Sequence, residues 1–236
     1  MAHLLATETR IITLYAELVG EAKALESDTH LTTEAKLLHW SAEDTPGIKG
    51  VQALKDVPLV REHVDALVPA MEQHYEDTVK ATIELPNDAD HARKIAAEMA
   101  AGRLERAYAE FDEVKRFHLL MEDVAERGDD GARVLIGDYR RRIHARGEGV
   151  ADFVTPIALK YFPDLEKLDT EVGRVASIVA VFKQHVARLE TLARNYLQVG
   201  ELSKVDIEKM LDKWGMSNYV VPGVPELRLP HSIDKR

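Results

Sequence analysis

A long stripe of apolar residues near the C-terminal end constrains the fold more than any other feature of the sequence. Nine apolar residues recur there in alternating steps of four and three: Leu168, Val172, Val175, Val179, Phe182, Val186, Leu189, Ala193 and Tyr196. A repeat of about 3.5 residues over this length is typical of a helix that packs lengthwise on other helices. We therefore predict one long helix over 164–198. Its stripe packs either inside the chain or against another subunit.

Shorter apolar periodicities predict helices along the rest of the chain. Pro69 should kink one of them, and Gly102 is expected to end another in a left-handed conformation. The predicted helices cover 9–25, 33–40, 58–83, the segment from the 85–88 turn to 101, 104–121, 134–146 and a short stretch that Ser203 caps and that ends at Trp214.

These helices predict an all-α fold of about eight helices in two packed subdomains. A composition shift follows Gly128–Gly131, where Gly131, Gly137, Gly147 and Gly149 bracket a basic helix, and it suggests a subdomain boundary at about 127–150. We expect a bundle of about five helices over 1–126, a second helical subdomain over 127–215 that contains the long helix, and an extended tail over 216–236. The tail contains three prolines, which exclude a regular helix. It is either disordered or ordered only against a partner.

Charge and composition exclude several classes of protein. The net charge is −10 and the pI is about 5.5, so general binding to nucleic acid is not expected. No apolar run approaches the roughly 20 residues of a membrane-spanning helix. Cysteine is absent, which excludes disulfides, thiolate zinc sites and iron–sulfur ligation.

No arrangement of residues typical of catalysis or metal binding stands out. The sequence has no phosphate-binding glycine motif, no Glu-x-x-His pair and no two histidines four residues apart. His118 and His185 lie beside apolar stripes, where a histidine is either packed or a haem ligand. We therefore expect no enzyme, no cofactor and no metal site. A helical-bundle metal or haem protein is the alternative from a different class.

Two regions are candidates for binding a partner. The first is a basic cluster on one predicted helix: Arg140, Arg141, Arg142, His144 and Arg146. Such a cluster is either the solvated C-terminal end of a helix or a surface for an anionic protein or lipid headgroup. The second region is C-terminal, and its candidate residues are Trp214, Pro222, Pro225 and Pro230.

One segment resembles a known family. Gly102-Arg103-Leu104-Glu105, followed by Asp112 and by Phe117-His118-Leu119-Leu120-Met121-Glu122, is similar to the motif of an accessory subunit of mitochondrial complex I. That family is NADH dehydrogenase (ubiquinone) 1 alpha subcomplex subunit 5, whose last core helix opens with Gly-Gln-[Leu/Ile]-Glu-Glu. Gly102, Leu104, Glu105 and Met121 fall in step with its pattern. The resemblance covers about 10–125 and leaves the rest as an extension.

The resemblance implies a non-catalytic subunit that binds other protein subunits. It would be peripheral to the inner mitochondrial membrane, on the matrix-side arm of complex I (NADH:ubiquinone oxidoreductase), and would support assembly of the respiratory chain. The alternative of the same class is a helical structural subunit of another respiratory complex or of ATP synthase, which the same helices would suit equally.

Overall fold

The computed structural model describes residues 1–41, 54–146, 153–194, 202 and 206–229. These residues form an all-α fold without strands, as predicted. A short π-helical turn, Asp123–Arg127, continues one of the helices. The α-helices are α1 Ala2–Ser27, α2 Thr33–Ser41, α3 Val57–Ile83, α4 His91–Ala107, α5 Glu113–Glu122, α6 Asp130–Arg146, α7 Val154–Tyr161, α8 Pro163–Arg194 and α9 Ile207–Trp214.

The chain forms two compact units whose boundaries differ from the predicted ones. Unit 1 combines Met1–Met71 with Gly173–Arg236, and unit 2 is the continuous segment Glu72–Val172. Helices α3 and α8 each contribute residues to both units. The predicted boundary at about 127–150 falls inside unit 2, where residues 128 and 129 form only a short connection between the π-helical turn and α6. Residues from both ends of the sequence instead belong to the same unit.

Unit 1 is held together by the apolar faces of its helices. The long stripe predicted on α8 is buried from Val175 to Ala193, so within the described residues it packs inside the chain. Tyr196 lies outside the described residues. The buried residues of unit 1 include Leu4, Ile11, Tyr15, Leu18, Val60, Val64, Leu67, Met71, Val175, Ile178, Val179, Phe182, Val186, Leu189, Leu192, Ile207, Leu211, Met216 and Val221.

Unit 2 has its own core around an aromatic cluster. The Phe117 ring lies 4.3 Å from the Tyr139 ring and 5.2 Å from the Phe153 ring, measured between centroids. Such tilted and edge-on contacts stabilise aromatic packing beyond area burial alone. The buried apolar residues of this core are Val79, Ile83, Phe117, Leu120, Met121, Val124, Ala132, Ile136, Ile143, Val154, Ile157, Ala158 and Leu165.

Two predicted helix boundaries in unit 2 are wrong. Helix α4 continues through Gly102 to Ala107, so Gly102 does not end it. The predicted helix over 104–121 is interrupted at 108–112, and Asp112 begins α5 by accepting a hydrogen bond from the Lys115 amide at 2.9 Å. Aspartate at this position satisfies an amide that has no partner inside the helix. The π-helical turn after α5 ends at Gly128, whose φ of 63° is left-handed.

Other differences concern helix ends and one missed helix. Helix α1 begins at Ala2 rather than near residue 9, and α7 was not predicted. Asp206 caps α9 through the Glu208 amide, and Gly215 ends it with a φ of 65°. Ser203, the predicted cap, lies outside the described residues. Pro69 lies inside α3, which continues to Ile83.

Candidate docking surface

Arg140, the first residue of the predicted basic cluster, is buried and paired. Its side chain is 4% exposed, and its Nη1 and Nη2 atoms each lie 2.9 Å from a carboxylate oxygen, of Glu84 and Glu76 respectively. Both glutamates lie on or just after α3, so Arg140 joins α6 to this part of α3 inside unit 2. The prediction that Arg140 binds a partner is therefore wrong, because its guanidinium is already used within the chain.

The neighbouring arginines do face solvent. Arg141 is exposed and pairs with Asp138 one turn earlier. Arg142 is also exposed and borders a small cavity of about 50 Å³ lined by Leu104, Tyr108 and Tyr139. The side chain of Arg146 lies outside the described residues. Only Arg141 and Arg142 thus remain as described members of a cationic surface.

A polar cleft lies between the C-terminal end of α3, helix α4 and helix α6. Its volume is about 400 Å³. Arg133 on its wall donates to the carbonyl oxygens of Thr82 (2.6 Å) and Glu84 (3.3 Å), which end α3. Lys94 donates to the Asn87 carbonyl at 2.7 Å. These two cations therefore donate hydrogen bonds to backbone carbonyls at the end of a helix and in the turn that follows it. Both have their partners within unit 2.

Helix α4 carries an exposed apolar face that was not among the predicted binding regions. Ile95 is 45% exposed and Met99 is 67% exposed, although they lie one turn apart on the same side of the helix. The opposite side of α4 is buried through Ala97 and Ala101. Gly102, one turn beyond Met99, has open space where a side chain would stand. The i, i+4 spacing of Ile95 and Met99 was a visible signal of a second apolar stripe.

Two arginines extend this face toward the C-terminal end of α4. Arg103 and Arg106 are both exposed, and neither belongs to the basic cluster predicted on α6. Cations near the end of a helix are favourable because the free carbonyls there are partly negative. We name the set Ile95, Met99, Gly102, Arg103 and Arg106 the α4 face.

The motif residues of the family resemblance are distributed over two helices. Gly102, Leu104 and Glu105 lie in α4, whereas Met121 lies at the end of α5. Met121 is fully buried and Leu104 packs against the core of unit 2, so both are structural. Glu105 is exposed. The continuous last helix that the resemblance implies is absent from this segment, since residues 108–112 interrupt it.

The C-terminal tail is ordered against its own chain over 216–229. Met216, Val221 and Leu229 are buried, and the Tyr219 carbonyl accepts a hydrogen bond from the Met1 amino group at 2.5 Å. The predicted alternatives, disorder or order only against a partner, are both wrong for these residues. Their side chains anchor the tail without a second protein.

The tail candidates predicted to bind a partner have mixed exposure. Trp214 is half-buried, and its carbonyl accepts from Arg174 at 3.3 Å. Pro222 is half-buried, Pro225 is exposed, and Pro230 lies outside the described residues. Of the three that the structure describes, Pro225 presents the most accessible surface.

Besides Arg140, the buried residues Glu8 and Asp123 each have a polar partner within the chain. In unit 1, His185 Nδ1 lies 3.2 Å from Glu8 Oε1, which also accepts from the Ile207 amide at 3.3 Å. In unit 2, the Tyr108 hydroxyl donates to Asp123 at 2.6 Å, and this bond raises the pKa of Tyr108 to about 12. No three of the described His, Asp and Glu side chains are grouped closely enough to hold a metal ion.

The fold and these surfaces define the class of the protein as all-α, and similarity to known proteins adds nothing further. No family model, curated protein or solved structure matches the chain. Within the part of the chain that the structure describes, no helix is both long and apolar enough to cross a membrane.

Proposed function

We propose that this chain is a non-catalytic docking subunit that binds another protein through the α4 face. The observation that carries the proposal is the exposure of Ile95 and Met99 on one side of a helix whose other side is buried. Large apolar side chains that lie together at the surface are typical of protein–protein contacts.

The size of the apolar contribution is consistent with specific binding. Complete burial of an isoleucine or methionine stabilises by about 1.5–3 kcal/mol. Since Ile95 and Met99 are about half and two-thirds exposed, a partner that covers both would gain roughly 2–3 kcal/mol. Each 1.4 kcal/mol changes an affinity tenfold, so these two side chains alone would contribute a factor of roughly 30–150.

The charges beside the apolar residues indicate what kind of partner fits. Arg103 and Arg106 are exposed in a chain with a net charge of −10. A partner helix with an apolar stripe and acidic residues at one end would complement the α4 face. Opposite charges at the rim of an interface increase the association rate and fix the orientation of the partner.

The resemblance around Gly102 suggests the first assembly to test. We propose the matrix-side peripheral arm of mitochondrial complex I, with the chain as an accessory subunit of the respiratory chain. Gly102 and Glu105 of the motif lie at the C-terminal part of α4, next to Met99. Another respiratory complex or ATP synthase would use the same face.

The test compares two single substitutions of equal chemistry. Met99→Glu places a carboxylate in the α4 face, whereas Val114→Glu makes the same kind of change at a residue of α5 that is 50% exposed. Both variants should retain the circular dichroism of the parent because neither side chain is buried. On blue-native gels of mitochondrial extracts, the parent and Val114→Glu should migrate with the large assembly, and Met99→Glu should migrate alone.

The possible outcomes separate the two parts of the proposal. Comigration with an assembly other than complex I would overturn the complex I assignment and leave the α4 face in place. Equal incorporation of Met99→Glu and the parent would overturn the role of the α4 face. Migration of all three proteins as free monomers would overturn docking altogether.

A further inference from the structure

Two histidines from distant parts of unit 1 meet with their ring nitrogens facing each other. His3 lies in the first turn of α1 and His63 lies in α3. Their Nε2 atoms are 3.1 Å apart, and the rings are edge-on with an interplanar angle of 78°. Both residues are half-buried.

This distance is close to that between two ligands of one metal ion. Imidazole nitrogens bind zinc at about 2.0–2.1 Å with tetrahedral angles, which places two such nitrogens about 3.3 Å apart. The observed separation would therefore need to grow by only a few tenths of an ångström. In the metal-free pair one Nε2 donates its hydrogen to the other. On binding, that ring shifts its hydrogen to Nδ1, so both Nε2 lone pairs face the ion and no bond to carbon changes.

The surroundings keep both rings neutral. Burial, together with the positive Met1 amino group, lowers the pKa of His63 and lowers that of His3 to about 4. Neutral imidazole is the form that binds metals, so protons do not compete at neutral pH. Glu226 interacts electrostatically with both His3 and the Met1 amino group. Its negative charge partly offsets the repulsion that a dication would experience from the amino group.

We infer that His3 and His63 form a two-imidazole binding site for a divalent transition-metal ion of the zinc class. Water would occupy the remaining coordination positions, since the described residues hold no set of three side-chain ligands. The bound ion would join the start of α1 to α3 within unit 1. Imidazole suits zinc, copper and nickel rather than magnesium or calcium.

Zinc titration of the full chain without a polyhistidine tag tests this site. Zn²⁺ is the probe because the proposed pair of imidazoles suits zinc. Isothermal titration calorimetry should show one ion per chain. His3→Gln and His63→Gln should each weaken binding at least tenfold, whereas His30→Gln should not, because His30 is an exposed imidazole of the same unit.

Thermal unfolding provides an independent readout. A ligand that binds only the folded state raises Tm, so saturating Zn²⁺ should raise Tm of the parent and of His30→Gln but not of His63→Gln. Circular dichroism without metal checks that each variant is folded, and either histidine variant suffices if the other fails to fold. The site is overturned if Zn²⁺ does not bind stoichiometrically, or if a folded His3 or His63 variant binds as tightly as the parent.

Discussion

Replacement of the buried Arg140 by alanine should destabilise unit 2 by at least about 3 kcal/mol. Removal of one partner from a buried ion pair costs about 3–5 kcal/mol because the remaining charge is left without compensation. Here the side chains of Glu84 and Glu76 are 21% and 44% exposed, so water can partly solvate them. This places the electrostatic loss near the lower end of the range. The packed alkyl part of the arginine is lost as well.

The assay must report on unit 2 separately. Both tryptophans of the chain, Trp40 and Trp214, belong to unit 1, so their fluorescence does not follow unit 2 directly. Amide hydrogen exchange of α6, measured as a function of urea concentration, does. The matched control is Arg141→Ala, one residue further along, where the side chain is 70% exposed. An exposed pair of this kind contributes about 0–1 kcal/mol.

A third variant separates the charge from the packing. Arg140→Met keeps most of the side-chain volume but leaves Glu76 and Glu84 without their cation, so the electrostatic loss of about 3 kcal/mol should remain. The amount by which Arg140→Ala exceeds this loss measures the packing. If Arg140→Ala and Arg141→Ala lower the free energy of unfolding equally, within about 0.5 kcal/mol, the arrangement described for Arg140 is incorrect.

Three further perturbations follow from the structure. Gly131→Ala would place its Cβ 2.7 Å from both the Cβ of Ala100 and the backbone nitrogen of Ala101. This substitution should therefore lower the free energy of unfolding, measured in urea, by about 1–3 kcal/mol. At Gly137 an added Cβ would meet no atom closer than 3.5 Å, so Gly137→Ala should raise the free energy of unfolding by up to about 1 kcal/mol. If Gly131→Ala were the more stable of the two variants, the described packing of α4 on α6 would be contradicted. Because the folded-state pKa of His3, about 4, lies below the ordinary histidine value of 6.5, the unfolded state binds more protons between these values. Stability should therefore fall as the pH is lowered from about 6.5 to 4, and a folded His3→Gln variant with the same slope would exclude this cause. Deletion of 216–236 removes the buried side chains of Met216, Val221 and Leu229. It should lower the free energy of unfolding of unit 1 by at least about 3 kcal/mol, measured by tryptophan fluorescence in urea. An unchanged urea midpoint would show that the tail contributes no packing.

The sequence predicted the helices better than it predicted which of their faces are used. The stripe on α8 was readable because every third or fourth residue is apolar, and burial follows from that spacing. The burial of Arg140 was also readable in principle, since it continues the series Ala132, Ile136 and Ile143 on one face of α6. A charged residue in an apolar stripe indicates a buried pair, but the cluster of adjacent arginines concealed this position.

Other features depend on tertiary contacts that no local pattern contains. Asp112 could have been recognised as a helix cap, yet the apolar spacing from Leu104 to Met121 favoured one continuous helix. His3 and His63 are 60 positions apart, and only the packing of unit 1 brings them together. The division of the chain was mistaken for the same reason, because a change in composition marks a turn and does not show which segments pack on each other.

The composition of unit 1 from both ends of the sequence has a consequence for the order in which the protein folds during translation. Unit 2 is complete once residue 172 has left the ribosome, and domains generally fold as units as they emerge. Unit 1 contains a hydrogen bond between residues 1 and 219, so α1 does not have all of its packing partners until residue 219 has been made. A chaperone that shields the apolar face of α1 until then would therefore favour correct folding.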